Sequence, residues 1–273
     1  TGKVWMGQSS GNVGIGTTTP QNLLNVVGSV NISGSGNALI FPDGTNQTTA
    51  ATSFDPATTI ELYDDFFSGY LTEIGELRWA FSNNAGTGTL TKLTSSSSAH
   101  GAYQIYAGSS GAAETVTLTL RENVGSSAIL FLGNTGNLSV TFRVANQAAV
   151  ANGEILWIGL FSSSIGVGEP YDGVFFRATD QGNWTAVTRS ANVETTTDTQ
   201  IAQSTSYKTF KIVWNSSGTS IGFYIDGTLK ATHTQNIPSS AIDPTLKAYQ
   251  SGSVPNIGLK IDYFYLKIVG LSR

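Results

Sequence analysis

The sequence contains no cysteine and few charged residues. Only 12% of its 273 residues are charged, and 18 acidic side chains against 14 basic ones give a net charge of -4. The absence of cysteine excludes disulfide bonds and thiolate metal sites, so stability must come from burial and assembly. Nucleic acid and anionic membranes favour proteins with a clustered basic surface, which this balance does not indicate. We therefore expect no nucleic-acid partner and no membrane insertion.

The sequence also lacks long apolar runs and long amphipathic helical patterns. No run of eighteen apolar residues occurs, and the first residues show no basic segment leading into an apolar core. We therefore expect neither a membrane span nor a signal peptide. Because the sequence begins at Thr1 without a methionine, we expect a fragment or a processed product. Abundant Gly, Ser, Thr and Asn favour an extracellular or virion-surface protein over a cytosolic enzyme.

Residues 1–52 have little material for a core of their own. They contain two charged side chains, Lys3 and Asp43, and nine glycines. Their apolar residues form short, strand-length clusters bounded by Gly, Asn or Pro: Val13 and Ile15, then Leu23, Leu24, Val26 and Val27, then Val30 and Ile32, then Leu39 to Phe41. Strands this short need neighbouring chains to cover them. We predict an oligomerising stalk; the alternative is a disordered linker.

Two motifs in this segment carry a resemblance. Residues 11–20 read GNVGIGTTTP and are followed by LLNVVG at residues 23–28, and residues 39–50 read LIFPDGTNQTTA. In this order they resemble shaft elements of phage tail fibres and related appendages, which also occur in bacterial and archaeal surface proteins. The resemblance implies a homotrimeric fibrous shaft and other virion structural proteins as partners.

From residue 53 onward, apolar and polar residues alternate between frequent turn signals, which is typical of a β-sandwich or barrel. The alternation predicts three strands with these inward-facing sets: Phe210, Ile212 and Trp214; Ile221, Phe223 and Ile225; and Phe264, Leu266 and Ile268. Asp226 and Gly227 predict a tight hairpin turn after the second set. Residues 53–273 are therefore predicted to form one all-β sandwich domain.

The C-terminal half carries a second resemblance. The segments YKTFKIVW at 207–214, IGFYIDGTLKAT at 221–232 and IDYFYLKI at 261–268 follow each other in order. They resemble the last strands of concanavalin A-like lectins and glucanases. The resemblance implies an all-β fold in which a short fibrous stalk precedes a concanavalin A-like jelly-roll β-sandwich. Since this fold hosts lectins, hydrolases and inert modules, function must be argued from a site.

No catalytic centre is expected. Glucanases resembling laminarinases use a strand motif ExDxxE, because retaining hydrolysis needs two carboxylates about 5 Å apart. The corresponding strand here has Glu154, but Leu156 and Gly159 occupy the other two acidic positions. We expect Glu154 to be a surface charge at the end of a strand. His100 and His233 stand among Ser and Thr without metal-ligand spacing, and we expect them in loops or at edges.

A glycan site needs an aromatic plane for the sugar ring and polar groups for its hydroxyls. The segment 169–184 is richest in both, and its predicted ligand-binding residues are Tyr171, Asp172, Arg177, Asp180, Asn183 and Trp184. Trp184 could instead belong to the core. A second candidate is the polar face of the last strand, where Tyr263 and Tyr265 would project beside Lys267. A neighbouring subunit could also cover that face.

No cofactor is predicted, and a structural calcium ion is left open. Asp64 and Asp65, or Asp226, could supply its oxygen ligands, although no calcium-loop spacing occurs. The preferred hypothesis is a receptor-binding fibre tip whose trimer presents weak sites for a cell-surface glycan and gains strength by avidity. The alternative is a head fibre or capsid decoration protein that has a structural role and binds no sugar.

Overall fold

The structure is a computed structural model of the 273-residue chain. It describes residues 4–6, 12–19, 21–31, 39–40, 46–47, 58–67, 69–70, 73–84, 87–93, 101–108, 113–120, 137–148, 153–162, 168–215, 217–251 and 257–270. The chain divides into two compact units, Thr1–Phe54 and Asp55–Arg273. All regular structure in the described residues is β, and among them there is no helix of the length and apolarity that a membrane span requires.

The first unit contains five short strands. They are β1 (Val4–Met6), β2 (Val13–Ile15), β3 (Leu24–Val26), β4 (Leu39–Ile40) and β5 (Asn46–Gln47). β2 pairs antiparallel with β1 and parallel with β3, and β4 pairs antiparallel with β5. Three of the four predicted apolar clusters contribute to these strands. Val30 lies outside any strand, and Ile32 is outside the described residues.

The second unit is built around an eight-stranded antiparallel sheet. Its strands are β6 (Thr59–Asp64), β10 (Thr89–Lys92), β11 (Tyr103–Ala107), β13 (Asn137–Asn146), β18 (Lys208–Trp214), β19 (Ile221–Ile225), β20 (Thr228–His233) and β22 (Ile257–Val269). The order is β10-β11-β22-β13-β18-β19-β20. β22 is long enough to pair with β11 over its first residues and with β6 over its last ones.

A seven-stranded antiparallel sheet forms the other layer. Its strands are β9 (Ala80–Asn83), β12 (Glu114–Thr119), β14 (Glu154–Phe161), β15 (Gly173–Thr179), β16 (Asn183–Ser190), β17 (Val193–Ala202) and β21 (Asp243–Gln250). The order is β17-β16-β15-β14-β21-β12-β9. A two-stranded ribbon of β7 (Gly69–Tyr70) and β8 (Glu73–Ile74) lies outside both sheets.

The main core lies between the two sheets and is filled by the inward residues of alternating strands. All nine side chains predicted to face inward on β18, β19 and β22 are buried. The predicted hairpin turn is also present: Asp226 and Gly227 have φ of 48° and 78°, and a type I′ turn requires this left-handed backbone. The predicted all-β fold, a jelly-roll sandwich of two antiparallel sheets, is confirmed.

The two sheets present different outer faces. On the seven-stranded sheet, Trp157, Phe161, Phe175 and Val187 form a second, smaller apolar cluster that is fully buried. Residues 168–172 are tied to this face: Lys247 Nζ donates to the Gly168 carbonyl at 2.7 Å. The outer face of the eight-stranded sheet instead carries partly exposed tyrosines and charged side chains. The outer face of the eight-stranded sheet therefore presents partly exposed rings, whereas the second apolar cluster on the seven-stranded sheet is buried.

Candidate functional site

The structure does not gather the residues of segment 169–184 into one site. Tyr171 and Asp172 precede β15, whereas Asp180 and Asn183 follow it. At about 3.3 Å per residue, the seven residues of β15 separate the two groups by about 23 Å. Tyr171 is exposed, but none of the polar residues at the other end of β15 can share a sugar ring with it.

The expectation that Trp184 offers a platform for a sugar is corrected by the structure. Its side chain is 1% exposed, and its ring centroid lies 4.8 Å from that of Phe210 in an edge-to-face arrangement. Position 184 faces inward because alternation along β16 turns Trp184 and Ala186 toward the opposite sheet. Trp184 is therefore a core residue that joins the two sheets.

Asp172 and Arg177 are committed to contacts within the protein. Asp172 is buried, and its carboxylate accepts hydrogen bonds from Ala191 N at 2.8 Å and Ser240 Oγ at 2.7 Å. Arg177 makes a bidentate ion pair with Glu194, at 3.0 and 3.1 Å, and a further ion pair with Glu169 at 3.1 Å. These contacts fasten strands and the segment 168–172 to one another, and Asp172 is closed off from solvent.

The turn between β15 and β16 borders a cleft of about 410 Å³. Asp180 shapes this turn, with φ of 51° and a carboxylate that accepts from Gly153 N at 2.5 Å, and Asn183 donates to Asp198 at 3.2 Å. The cleft is lined by amides, hydroxyls and alanines: Asn146, Ala148, Gln181, Ala202, Gln203, Ser204 and Thr205. We call it the amide cleft. Among the residues that the structure describes, no charged side chain lines this cleft.

Of the tyrosines on or beside the outer face of the eight-stranded sheet, we call four the tyrosine strip: Tyr63, Tyr207, Tyr263 and Tyr265. Tyr63 on β6 is 55% exposed, and its ring centroid lies 6.3 Å from that of Tyr263 on β22. The strands place them there because Leu62, Phe264 and Leu266 alternate with the tyrosines and pack into the core.

Ion pairs flank the rings of the tyrosine strip. Arg143 on β13 pairs with Asp262, and its guanidinium lies over the ring of Tyr207, 4.7 Å from the centroid. Lys267 pairs with Glu61 at 2.5 Å. These two residues are partners on β22 and β6, two residues along each strand from the partners Tyr265 and Tyr63. Burial, followed by the charge of Asp262, raises the pKa of Tyr207 to about 12. At neutral pH the phenol of Tyr207 is protonated, as an ordinary tyrosine is, and can donate a hydrogen bond.

The tyrosine strip combines the two features that a sugar site needs, aromatic planes and nearby hydrogen-bonding groups. Sequence reasoning named Tyr263, Tyr265 and Lys267 as a second candidate. It missed Tyr63, Tyr207 and the Arg143–Asp262 pair. The alternation in β6 indicates that Tyr63 points away from the core, but nothing local reveals that β6 pairs with β22.

An acidic cluster lies next to the strip. Oxygens of Asp64, Asp65 and Glu76 lie within 4.8 Å of one another, and carboxylates of this kind suit a calcium ion. Asp64 already accepts hydrogen bonds from Phe66 N at 2.9 Å, Leu77 N at 2.9 Å and Trp79 Nε1 at 3.0 Å. Burial, followed by a hydrogen bond with Glu76, raises the pKa of Asp64. A shared proton or a cation would satisfy the pair.

The other calcium candidate, Asp226, is explained by its turn. Its carboxylate accepts from Thr209 N at 2.8 Å and pairs with Lys208 at 3.2 Å.

The strand expected to match the glucanase motif is β14. Leu156 lies in the core, and the outward side chains of this strand are Ile155, Trp157 and Phe161. Glu154 is 3% exposed, so the expectation of a surface charge is wrong: the Asp180 turn packs over this end of β14, and Asp180 N donates to the Glu154 carbonyl at 2.9 Å. No carboxylate pair with the glucanase spacing lies on the outer side of β14.

Of the two histidines, the structure describes His233. His233 lies at the end of β20, an edge strand of the eight-stranded sheet, which is one of its two expected placements, and its side chain is buried. Its ring nitrogens contact the hydroxyls of Thr188 and Thr197 at 3.1 and 2.9 Å. His100 lies outside the described residues.

Several solved structures match this chain at low sequence identity. The crystal structure of SO2946, a protein of unknown function from Shewanella oneidensis MR-1, matches with a TM-score of 0.59 and 18% identity over 82% of this chain and 92% of that one. The Emp47p carbohydrate recognition domain matches with a TM-score of 0.48 and 11% identity, over 80% of this chain and 100% of that one. The binding domain of botulinum neurotoxin DC in complex with rat synaptotagmin II matches at 0.44 and 16%, and the match spans 72% of this chain and 45% of the toxin chain.

Sequence comparison gives a family but no characterised relative. No curated protein matches the chain significantly. The family model described as "SO2946-like, C-terminal domain" matches residues 105–262, which is more than half of the chain. These residues run from β11 to β22 and include strands of both sheets. The chain therefore belongs to the SO2946-like family and contains its C-terminal domain.

Proposed function

We propose that the second unit binds a cell-surface glycan through the tyrosine strip, and that the chain is the receptor-binding protein of a surface appendage such as a virion fibre. One observation carries the glycan proposal. Tyr63 presents a ring that is 55% exposed and lies 6.3 Å from the ring of Tyr263, between two ion pairs.

The chemistry of the strip suits a sugar. A pyranose has an apolar face of C–H groups that packs on an aromatic ring, while its hydroxyls seek charged or amide partners. Tyr63 and Tyr263 supply the rings, and the Arg143–Asp262 and Lys267–Glu61 pairs supply donors and acceptors along both flanks. Because the ion pairs hold their side chains in place before a ligand arrives, little side-chain entropy is lost on binding.

We propose that the domain binds without catalysis. The strand that carries the catalytic acids in glucanases of similar fold carries Leu156 and Gly159 at two of their positions, and Leu156 points into the core. Hydrolysis by a carboxylate pair would need both acids on one accessible face. Incubation of the protein with a glycan that it binds should therefore produce no new reducing ends.

We further propose that the first unit assembles the chain into a homotrimer. Leu23 and Leu24 in this unit are 76% and 60% exposed, and Val27 and Val30 are exposed as well. Four large apolar side chains within eight residues are an unusual surface for a chain that stays single. Three joined copies would present three strips, so weak single sites would add up by avidity. Trimerisation also fits the resemblance to fibre shafts and a location on a virion or cell surface.

A glycan array with the purified full chain tests the proposal. We expect saturable binding to one glycan class, strongly reduced in Tyr63→Ala and in Tyr263→Ala. Tyr171→Ala is the matched control, because Tyr171 is also 55% exposed but precedes β15 in the other sheet. The array could show no binding while contact with other virion proteins shields the tyrosine strip from solvent. In that case the chain is a structural decoration protein instead.

A further inference from the structure

We infer that the ligand is a stretch of a linear, uncharged polysaccharide that lies along the tyrosine strip and continues into the amide cleft, rather than a single terminal sugar. This inference rests on the proposed glycan binding and adds the class of glycan. It follows from the continuity of the two surfaces, their length and their charge.

The strip and the cleft adjoin along two stretches of chain. β13 runs from Arg143, which flanks the tyrosine strip, to Asn146, which lines the amide cleft, and these three steps along the strand span about 10 Å. Thr205 lines the cleft, and Tyr207 follows two residues later, at most about 7 Å away. The ring of Tyr207 packs on Arg143 and so stands between the cleft and Tyr263.

The combined surface is too long for one sugar ring. From β6 to β18 the strip crosses three gaps between neighbouring strands, or about 14 Å at the usual spacing of about 4.8 Å. The cleft extends it beyond Tyr207. A ligand that touches both Tyr63 and Thr205 must therefore contain several connected sugar units.

The cleft offers hydrogen-bonding groups without charge. Gln203 holds its wall together, because it accepts from Asn146 Nδ2 at 2.8 Å and donates to the carbonyls of Asp180 at 2.6 Å and Gly182 at 3.0 Å. Gln181 and Thr205 are exposed, and within the described residues their side chains make no hydrogen bond. An amide and a hydroxyl that are open to solvent are suited to the hydroxyls of a sugar.

The charges of the strip disfavour an acidic glycan. Arg143 and Lys267 are already neutralised by Asp262 and Glu61. The carboxylates of Asp65 and Asp262 lie close enough to Tyr63 to raise the pKa of its hydroxyl, after burial as the larger cause. A sugar carboxylate or sulfate over Tyr63 would meet these like charges, whereas a neutral sugar would not.

The test compares binding of two oligosaccharide series, from disaccharide to octasaccharide, to the full chain by calorimetry. Neutral β-glucan and mannan oligosaccharides form one series, and oligogalacturonates form the other. We expect affinity to rise about tenfold or more with length in one neutral series and then to level off, since each added hydrogen bond or stacked ring contributes a few-fold to about tenfold. Oligogalacturonates should bind more weakly than neutral chains of equal length.

Two kinds of variant distinguish the contribution of the amide cleft to affinity from that of the tyrosine strip. Thr205→Val and Gln181→Ala change exposed side chains, so the fold should persist, and a melting curve verifies this. We expect them to lower the affinity of the long neutral chains and to leave the disaccharide unaffected, whereas Tyr63→Ala should weaken both. Affinity independent of length, or equal or tighter binding of oligogalacturonates, overturns this inference while leaving glycan binding intact. Absence of binding both in these two series and on the glycan array overturns the proposed function itself.

Discussion

The hydroxyl of Thr188 on β16 lies 3.1 Å from Nδ1 of His233 on β20, and this contact joins the two sheets through the interior. Thr188 donates its only hydroxyl proton to the Gln235 carbonyl at 2.8 Å, so it must accept from Nδ1–H of the imidazole. Nε2 then accepts from the Thr197 hydroxyl at 2.9 Å. The arrangement satisfies a neutral ring, and a second ring proton would require the Thr197 hydroxyl to turn from donor to acceptor.

Protonation of His233 should therefore destabilise the fold. Burial lowers the pKa of His233 below its ordinary 6.5, so the unfolded chain binds the proton more readily. The stability from the neutral ring is complete above about pH 6.5 and is lost as the pH falls below it. We expect His233→Gln to remove this part of the pH dependence of the unfolding free energy. His100→Gln is the control, and an equal effect of both substitutions would contradict the assignment.

Asp64 and Glu76, next to the tyrosine strip, should give the stability of the fold the opposite dependence on pH. Burial and the hydrogen bond with Glu76 raise the pKa of Asp64 from 3.8 to about 7. The folded state then holds a proton that the unfolded state releases, so stability should fall as the pH rises from about 4 to about 7. Glu76→Gln supplies an amide donor to the Asp64 carboxylate and should increase stability at pH 7 by about 1 kcal/mol.

Thermal unfolding of the wild type and Glu76→Gln across this pH range tests the prediction. The expected result is a gap between the two chains that widens toward neutral pH. A higher melting temperature of the wild type in calcium chloride, absent in Glu76→Gln, would contradict the shared proton. The three carboxylates would then be a cation site.

Replacement of Trp184 by alanine should lower the stability of the fold as the loss of a core side chain does. Its ring is buried against Phe210, and truncation of a buried tryptophan to alanine costs about 3 to 5 kcal/mol. We therefore expect Trp184→Ala to lower the unfolding free energy measured in urea by that amount, while Tyr171→Ala changes it by less than about 0.5 kcal/mol. A fully stable Trp184→Ala chain would show that the indole is not part of the core.

The sequence is sufficient to predict which way many side chains face. In Phe210, Ile212 and Trp214 the two-residue period is local, and the structure buries all three. The same local rule leaves the segment 169–184 ambiguous, because aromatic residues occur on both faces of its strands. The buried Trp184 and the exposed Tyr171 have similar polar neighbours in the sequence.

The site itself depends on pairing between distant segments. Tyr63 and Tyr263 belong to strands near the two ends of the domain, and only the pairing of β6 with β22 brings them together. The hydrogen-bond partners of His233 could not be predicted from the sequence for a related reason. Thr188 and Thr197 are distant from His233 in the sequence, and their hydroxyls contact its buried ring because β16 and β17 pack against β20.

The exposed leucines of the first unit give the last prediction. Leu23 and Leu24 are 76% and 60% exposed, and if neighbouring copies cover them, replacement of both by serine should break the assembly. We expect the wild type to sediment as a trimer and Leu23→Ser/Leu24→Ser to sediment as a monomer. Leu229→Ser is the matched control, because Leu229 is 51% exposed but belongs to the second unit.

The monomer should keep its affinity for a free oligosaccharide and lose about a hundredfold in binding to a glycan-coated surface, because only the multivalent contribution disappears. A wild type that sediments as a monomer would contradict both the trimer and the avidity that depends on it.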